Sequence, residues 1–190
     1  MNILGLSCFY HDAGACLLRD GELVAAAEEE RFTRLKHDAS LPLRAANYCL
    51  EAADLYADQL DYVIFYEKPL LKFERIVAGY AATHPRSRTA FVRAMQAWLS
   101  QKLWVRGQIR EALGFDGDIL FGEHHVSHAA SAFFPSPFED AAVLTADGVG
   151  EWATLTVGRG RREPGGRTEI VLDREIRFPH SLGMLYSTFT

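Results

Sequence analysis

The chain has 190 residues, 48% hydrophobic and 24% charged, which is enough length and apolar content to bury a core and excludes a disordered, low-complexity or collagen-like polymer. Twenty Lys and Arg stand against 25 Asp and Glu, a formal charge of -5, so a broad grip on nucleic-acid phosphates is disfavoured and only a small local phosphate site is left open. Cys8, Cys16 and Cys49 form no CxxC pair, which points to small core residues in a reducing cytoplasm rather than to a disulfide framework. No apolar run reaches membrane-spanning length and no basic segment precedes a hydrophobic one at the N-terminus, so neither secretion nor membrane insertion is expected.

The opening residues 2–7 read as a buried strand, residues 13–19 as its partner, and His11-Asp12 as the polar loop between them. Asp20-Gly21 signals a tight hairpin into residues 22–28, which completes an antiparallel meander. Pro42 opens a helix whose apolar Leu43, Ala46, Leu50 and Ala53 recur at helical spacing. Residues 61–66 read as a strand, residues 87–113 as one long helical stretch ended by Gly114, and residues 118–122 as another strand. A helix is expected from His124 to Phe134, cut off by Pro135 and Pro137. A second meander follows, with strands at residues 141–146, 152–157 and 169–176 and an exposed Gly/Arg-rich loop at residues 158–167. A last helical pattern begins near His180 and reaches Thr190 without a stop signal, as at a cut. This order matches an α/β, ribonuclease H-like lobe of an actin-like ATPase, with a mixed sheet flanked by helices. Trp98 and Trp104 are expected in core packing or a domain contact.

Three of the seven histidines fall in the run Glu123-His124-His125-Val126-Ser127-His128. On a helix His124 and His128 share a face and can converge on one metal ion, whereas His125 points about 100° away and is expected to be structural. Two imidazoles need at least one further ligand, and Asp147, at the end of the following strand, is the local candidate. A polar helix face or satisfied core histidines are the alternatives. Asp147-Gly148-Val149-Gly150-Glu151 is either a hairpin turn or a loop whose glycines let backbone N–H groups approach a phosphate. His11 could take a proton from an attacking hydroxyl, or belong to an ordinary polar turn. Arg31 or Lys36, in the charged run at residues 28–37, could meet a phosphate or lie on a solvated face. No P-loop, no GxSxG elbow and no CxxC metal pair is present.

Four ordered blocks carry a resemblance: residues 4–15 with Tyr10-His11-Asp12-Ala13-Gly14-Ala15, residues 27–37, residues 124–133, and Asp147-Gly148-Val149-Gly150-Glu151-Trp152. Together they resemble the NodU/CmcH-type O-carbamoyltransferases over almost the whole chain. The resemblance implies an enzyme that takes carbamoyl phosphate and ATP, forms carbamoyl-adenylate and passes the carbamoyl group to a hydroxyl of a sugar-like or natural-product acceptor. It also implies a likeness to the metal-dependent tRNA threonylcarbamoyl-transfer proteins. By position it makes His124 and His128 ligands of a metal, iron in the family. Asp147 would join them or act through the phosphate, and Gly148, Val149, Gly150 and Glu151 would line the nucleotide. His11 becomes the general base and Lys36 a neighbour of the carbamoyl-adenylate.

The family continues through a second actin-like lobe and a YrdC-like part that are absent from these 190 residues, so the chain is expected to be an N-terminal lobe lacking a remaining metal ligand and inactive alone. Its completion by another chain is an open alternative. So is a non-catalytic actin-like module that binds nucleotide or metal. An actin-like sugar kinase ranks last, because paired histidines have no evident role in simple phosphoryl transfer.

Overall fold

Alternation of buried and half-buried residues builds the first sheet in this computed structural model, which describes residues 1–163 and 165–190. Strands β1 (Asn2–Ser7), β2 (Gly14–Arg19) and β3 (Glu22–Glu28) form the antiparallel meander. Asp20 and Gly21 both take positive φ, 53° and 87°, the two-residue turn that matches strand twist. Strands β4 (Tyr62–Phe65) and β5 (Asp118–Phe121) add in parallel, giving the order β3-β2-β1-β4-β5. Only β2 runs against the others, which is the ribonuclease H-like arrangement.

The chain divides into two compact units, residues 1–66 with 89–121 and residues 67–88 with 122–190. In the first, the register sets Leu17, Leu4, Val63 and Ile119 in one row and Ala15, Leu6, Phe65 and Phe121 in the next, on one face of the sheet. A short helix, α1 (Glu30–Thr33), follows β3, and α2 (Leu43–Ala52) contributes Ala45, Ala46, Cys49 and Leu50 to the same core. Cys8 and Cys49 are buried and Cys16 half-buried, and burial pushes the Cys49 thiol up to about 11, as befits packing residues.

Helix α3 (Pro69–Ala82), with Pro69 at its first turn, belongs to the second unit and has no counterpart in the sequence reading. The single helical stretch expected over residues 87–113 is two helices, α4 (Arg88–Ser100) and α5 (Val105–Leu113). Gln101 leaves helical geometry and Ser100 turns its hydroxyl back onto Gln96 O at 2.6 Å, a side-chain bond that competes with the helix. Trp98 is buried, but Trp104 is 63% exposed and donates its indole N–H to Leu99 O at the end of α4. Of the core packing or domain contact expected of the two tryptophans, core packing holds for Trp98, and Trp104 lies outside the core.

The second unit carries α6 (His124–Phe133), a three-stranded antiparallel sheet of β6 (Asp140–Ala146), β7 (Ala153–Arg162) and β8 (Thr168–Arg177), and α7 (Leu182–Phe189). Residues 158–162, expected as loop, are strand. A Cβ on Gly160 would lie 2.6 Å from the Phe133 ring, so this glycine marks a close approach of helix to strand rather than a turn. Arg162 likewise donates to the carbonyls of Phe134 and Ser136 where α6 ends. Among the described residues no helix is long and apolar enough to cross a membrane.

Leu17 is fully buried in the first sheet. Leu17→Ala should therefore cost about 2–5 kcal/mol, read as a lower denaturant midpoint; an unchanged midpoint would contradict this core.

Candidate metal centre

Helix α6 begins as the chain leaves Glu123 in extended geometry, and its first turn sets His124 and His128 one above the other. Strand β6 ends beside it. Asp147 continues the ladder by donating its N–H to Thr154 O at 2.9 Å, then turns its side chain to the helix. Its Oδ2 lies 2.7 Å from His124 Nε2 and 3.9 Å from His128 Nε2, while the two Nε2 atoms are 3.1 Å apart.

Two imidazole nitrogens and a carboxylate oxygen are a donor set for a divalent first-row metal. Atoms bound to one ion at roughly 2.0–2.1 Å stand about 3 Å apart, close to these separations, so the residues present fit such an ion. His124, His128 and Asp147 are the one group of this kind found among the described residues, with ligand atoms all within 4.8 Å.

The surroundings fix this triangle. A Cβ on Gly150 would stand 2.7 Å from His124 Cδ2, so the loop after Asp147 can lie against the imidazole only with glycine there. The Ser181 hydroxyl meets Asp147 O at 3.2 Å and Gly148 O at 2.6 Å while accepting the Met184 N–H at the start of α7. The Gly148 N–H goes to Asp147 Oδ1 at 2.6 Å and the Gly150 N–H to Ala153 O at 3.1 Å. Two N–H groups considered for a phosphate are thus held within the protein here. Val149 is half-buried between them. Glu151, also expected beside a nucleotide, is buried and accepts the Lys68 N–H at 2.6 Å ahead of α3.

Charge follows the geometry. Burial disfavours the His124 cation, but Asp147 and Glu67 outweigh it and raise the imidazole to about 9. The hydrogen bond from His124 first, and then the His128 ring 3.9 Å away, hold the Asp147 carboxyl far below the usual carboxylate range. His125 is the structural histidine expected: buried, with Nε2–H donating to Ala153 O at 2.8 Å and Nδ1 accepting from the Thr145 hydroxyl at 2.5 Å. Thr145 in turn meets Thr156 at 2.6 Å.

Glu67 was missed by the sequence reading. It is 6% exposed, pairs through both oxygens with Lys72 Nζ at 2.9 and 2.7 Å, and puts Oε2 3.4 Å from His124 Nδ1. The signal that leads to it is Lys68-Pro69 followed by apolar Leu71, Ile76 and Tyr80, a helix start that places residue 67 just outside α3.

The first unit holds the other two candidates. His11 and His37 both direct Nδ1 at Asp12, at 2.7 and 2.8 Å, one on each carboxylate oxygen. The loop at residues 35–40 is laced to the β1–β2 loop by Phe9 N–H to Ala39 O and Ala13 N–H to Asp38 O. His11 and Lys36 are both exposed on these loops.

With this geometry in view, known proteins place the chain. The family model described as the carbamoyltransferase N-terminus matches residues 2–190, and this chain belongs to that family. It is 51% identical to the uncharacterized protein sll1178 of Synechocystis, over all of this chain and 31% of that protein. It is 37% identical to the nodulation protein NolNO of Sinorhizobium fredii, over 94% of this chain and 25% of NolNO. The chain thus spans about a third or less of these relatives. The solved structure of YeaZ from Pseudomonas aeruginosa matches 94% of this chain and 69% of its own at 14% identity and TM-score 0.44; the strand order, not that likeness, defines the fold.

In the first unit the hydrogen bond to Asp12 raises the His37 imidazole above its ordinary value, and the bonds from His37 and then His11 lower the Asp12 carboxyl. The charged pair is therefore complete from the ordinary carboxylate range up to pH about 6.5, is lost as pH rises through the raised His37 value, and is lost in acid as pH falls through the lowered Asp12 value. In Asp12→Asn an NMR titration should return His37 to about 6.5; an unmoved midpoint would contradict the pairing.

Proposed function

We propose that this chain supplies the metal-binding part of an O-carbamoyltransferase that moves a carbamoyl group from carbamoyl-adenylate, itself made from carbamoyl phosphate and ATP, to a hydroxyl of a sugar-like or natural-product acceptor. The observation that carries the reading is the convergence of His124, His128 and Asp147 in a chain of the carbamoyltransferase family.

In this reading the acceptor oxygen bonds to the carbamoyl carbon, the bond from that carbon to the phosphate oxygen breaks, and AMP leaves with the electron pair. His124, His128 and Asp147 would hold a divalent cation, iron by the family resemblance, and it would supply positive charge for the departing phosphate. His11 takes the hydroxyl proton on Nε2. Its Nδ1 is engaged by Asp12, a partner that favours the tautomer with the proton on Nδ1 and leaves Nε2 as a base. The Lys36 ammonium offsets charge on the carbamoyl-adenylate, and Gly148, Val149, Gly150 and Glu151 form the nucleotide's wall.

The test separates the two roles. His124→Ala and His128→Ala should each lose retained metal after dialysis, measured by elemental analysis, and should lose carbamoyl transfer when the chain is assayed within a protein of its relatives' length. His11→Ala should keep the metal and lose transfer by 100-fold or more, on the order of general-base catalysis. Transfer that survives in all three variants would overturn the proposal.

A further inference from the structure

Resting on the reading of His124 as a metal ligand, we infer that Glu67 is its positioning residue: a buried carboxylate that holds the proton on His124 Nδ1 and so presents the Nε2 lone pair to the cation. A neutral imidazole has one N–H and one lone pair, and the partner of one nitrogen decides which nitrogen can bind metal. His124 turns Nε2 to the side shared by His128 and Asp147, and its buried Nδ1 lies 3.4 Å from Glu67 Oε2, an ion-pair distance outside hydrogen-bond geometry, so that the carboxylate acts on the Nδ1 proton through its charge.

Glu67 is built for that task rather than placed there by chance. Its side chain is 8% exposed, so water cannot easily substitute for its partners, and Lys72 one turn into α3 grips both oxygens at 2.9 and 2.7 Å. That grip fixes the carboxylate plane and offsets the cost of burying its charge. Helix α3 is itself anchored beside α6, since Glu151 accepts the Lys68 N–H at 2.6 Å and Lys68 Nζ reaches Glu123 Oε1 at 2.7 Å, immediately before His124. The same few residues that start α3 therefore set the distance from Glu67 to the His124 ring. His128, 51% exposed on its side chain, is the more openly placed of the two histidines.

The experiment is titration of the 190-residue chain with Zn2+, and with Fe2+ under anaerobic conditions, by calorimetry at pH 7.5. Glu67→Gln keeps the shape and removes the charge; it should weaken binding about 10- to 100-fold, the usual effect of losing such an outer carboxylate. Glu74→Gln, the same charge change at an exposed position on α3, should leave affinity within about twofold. Nitrogen chemical shifts of His124 in the Zn2+-loaded protein should report the proton on Nδ1 in the wild type. Equal affinity in wild type and a folded Glu67→Gln would overturn the role of Glu67 while leaving the metal centre standing. No binding by the wild type would overturn both. If Glu67→Gln does not fold, Lys72→Met supplies the test: loosening the grip on Glu67 should lower affinity in the same direction, and an unchanged affinity would overturn the inference.

Discussion

The second unit is organised around one half-buried carboxylate. Asp147 sits where β6 runs out, and its charge is acceptable there because the His124 ring meets Oδ2 at 2.7 Å and the Gly148 N–H meets Oδ1 at 2.6 Å, with the His128 ring 3.9 Å away. Everything adjacent serves that meeting. Gly150 leaves room for the His124 ring, Ser181 pins the carbonyls of Asp147 and Gly148, and Phe133 seats α6 on β7 across Gly160. A triangle of two nitrogens and an oxygen within 3.9 Å of one another is therefore a consequence of backbone placement, not of side-chain chance.

The first unit solves a different problem. Its buried rows from Leu17 to Ile119 make a rigid sheet, and rigid elements hold the exposed ends of loops in place. At one end of β1 the β1–β2 loop and the loop at residues 35–40 are tied by backbone bonds and by Asp12 between two histidines, His37 coming from 25 residues away. Asp12 and His37 adopt positive φ, 50° and 56°, so both loops bend sharply to bring these side chains together.

Much of this was legible in the residues because the physics is local. Alternation gave β1 to β3, Asp20-Gly21 gave the hairpin, Pro42 opened α2, and the four-residue spacing of His124 and His128 put both on one helix face. What escaped depends on tertiary context. Residues 158–162 carry glycines and arginines that resemble a loop, yet Gly160 makes way for Phe133 and Arg162 caps α6. Gln101 breaks a run whose periodicity continues across it. Glu67 was hidden because Lys68-Pro69 marks only the start of a helix and not what the acid before it touches; the fold brings it behind His124 from 57 residues away. Asp12 was read with His11, but its second partner, His37, came from a stretch that looked like a solvated charge run.

The central claim is that His124, His128 and Asp147 hold one cation. Its most direct test is anomalous diffraction from crystals of this chain grown with Fe2+ or Mn2+. The account predicts a single strong peak bonded to Nε2 of both histidines and to a carboxylate oxygen of Asp147. Its contradiction is a chain that leaves this position empty under saturating metal, with the two rings turned apart, or that binds the ion elsewhere.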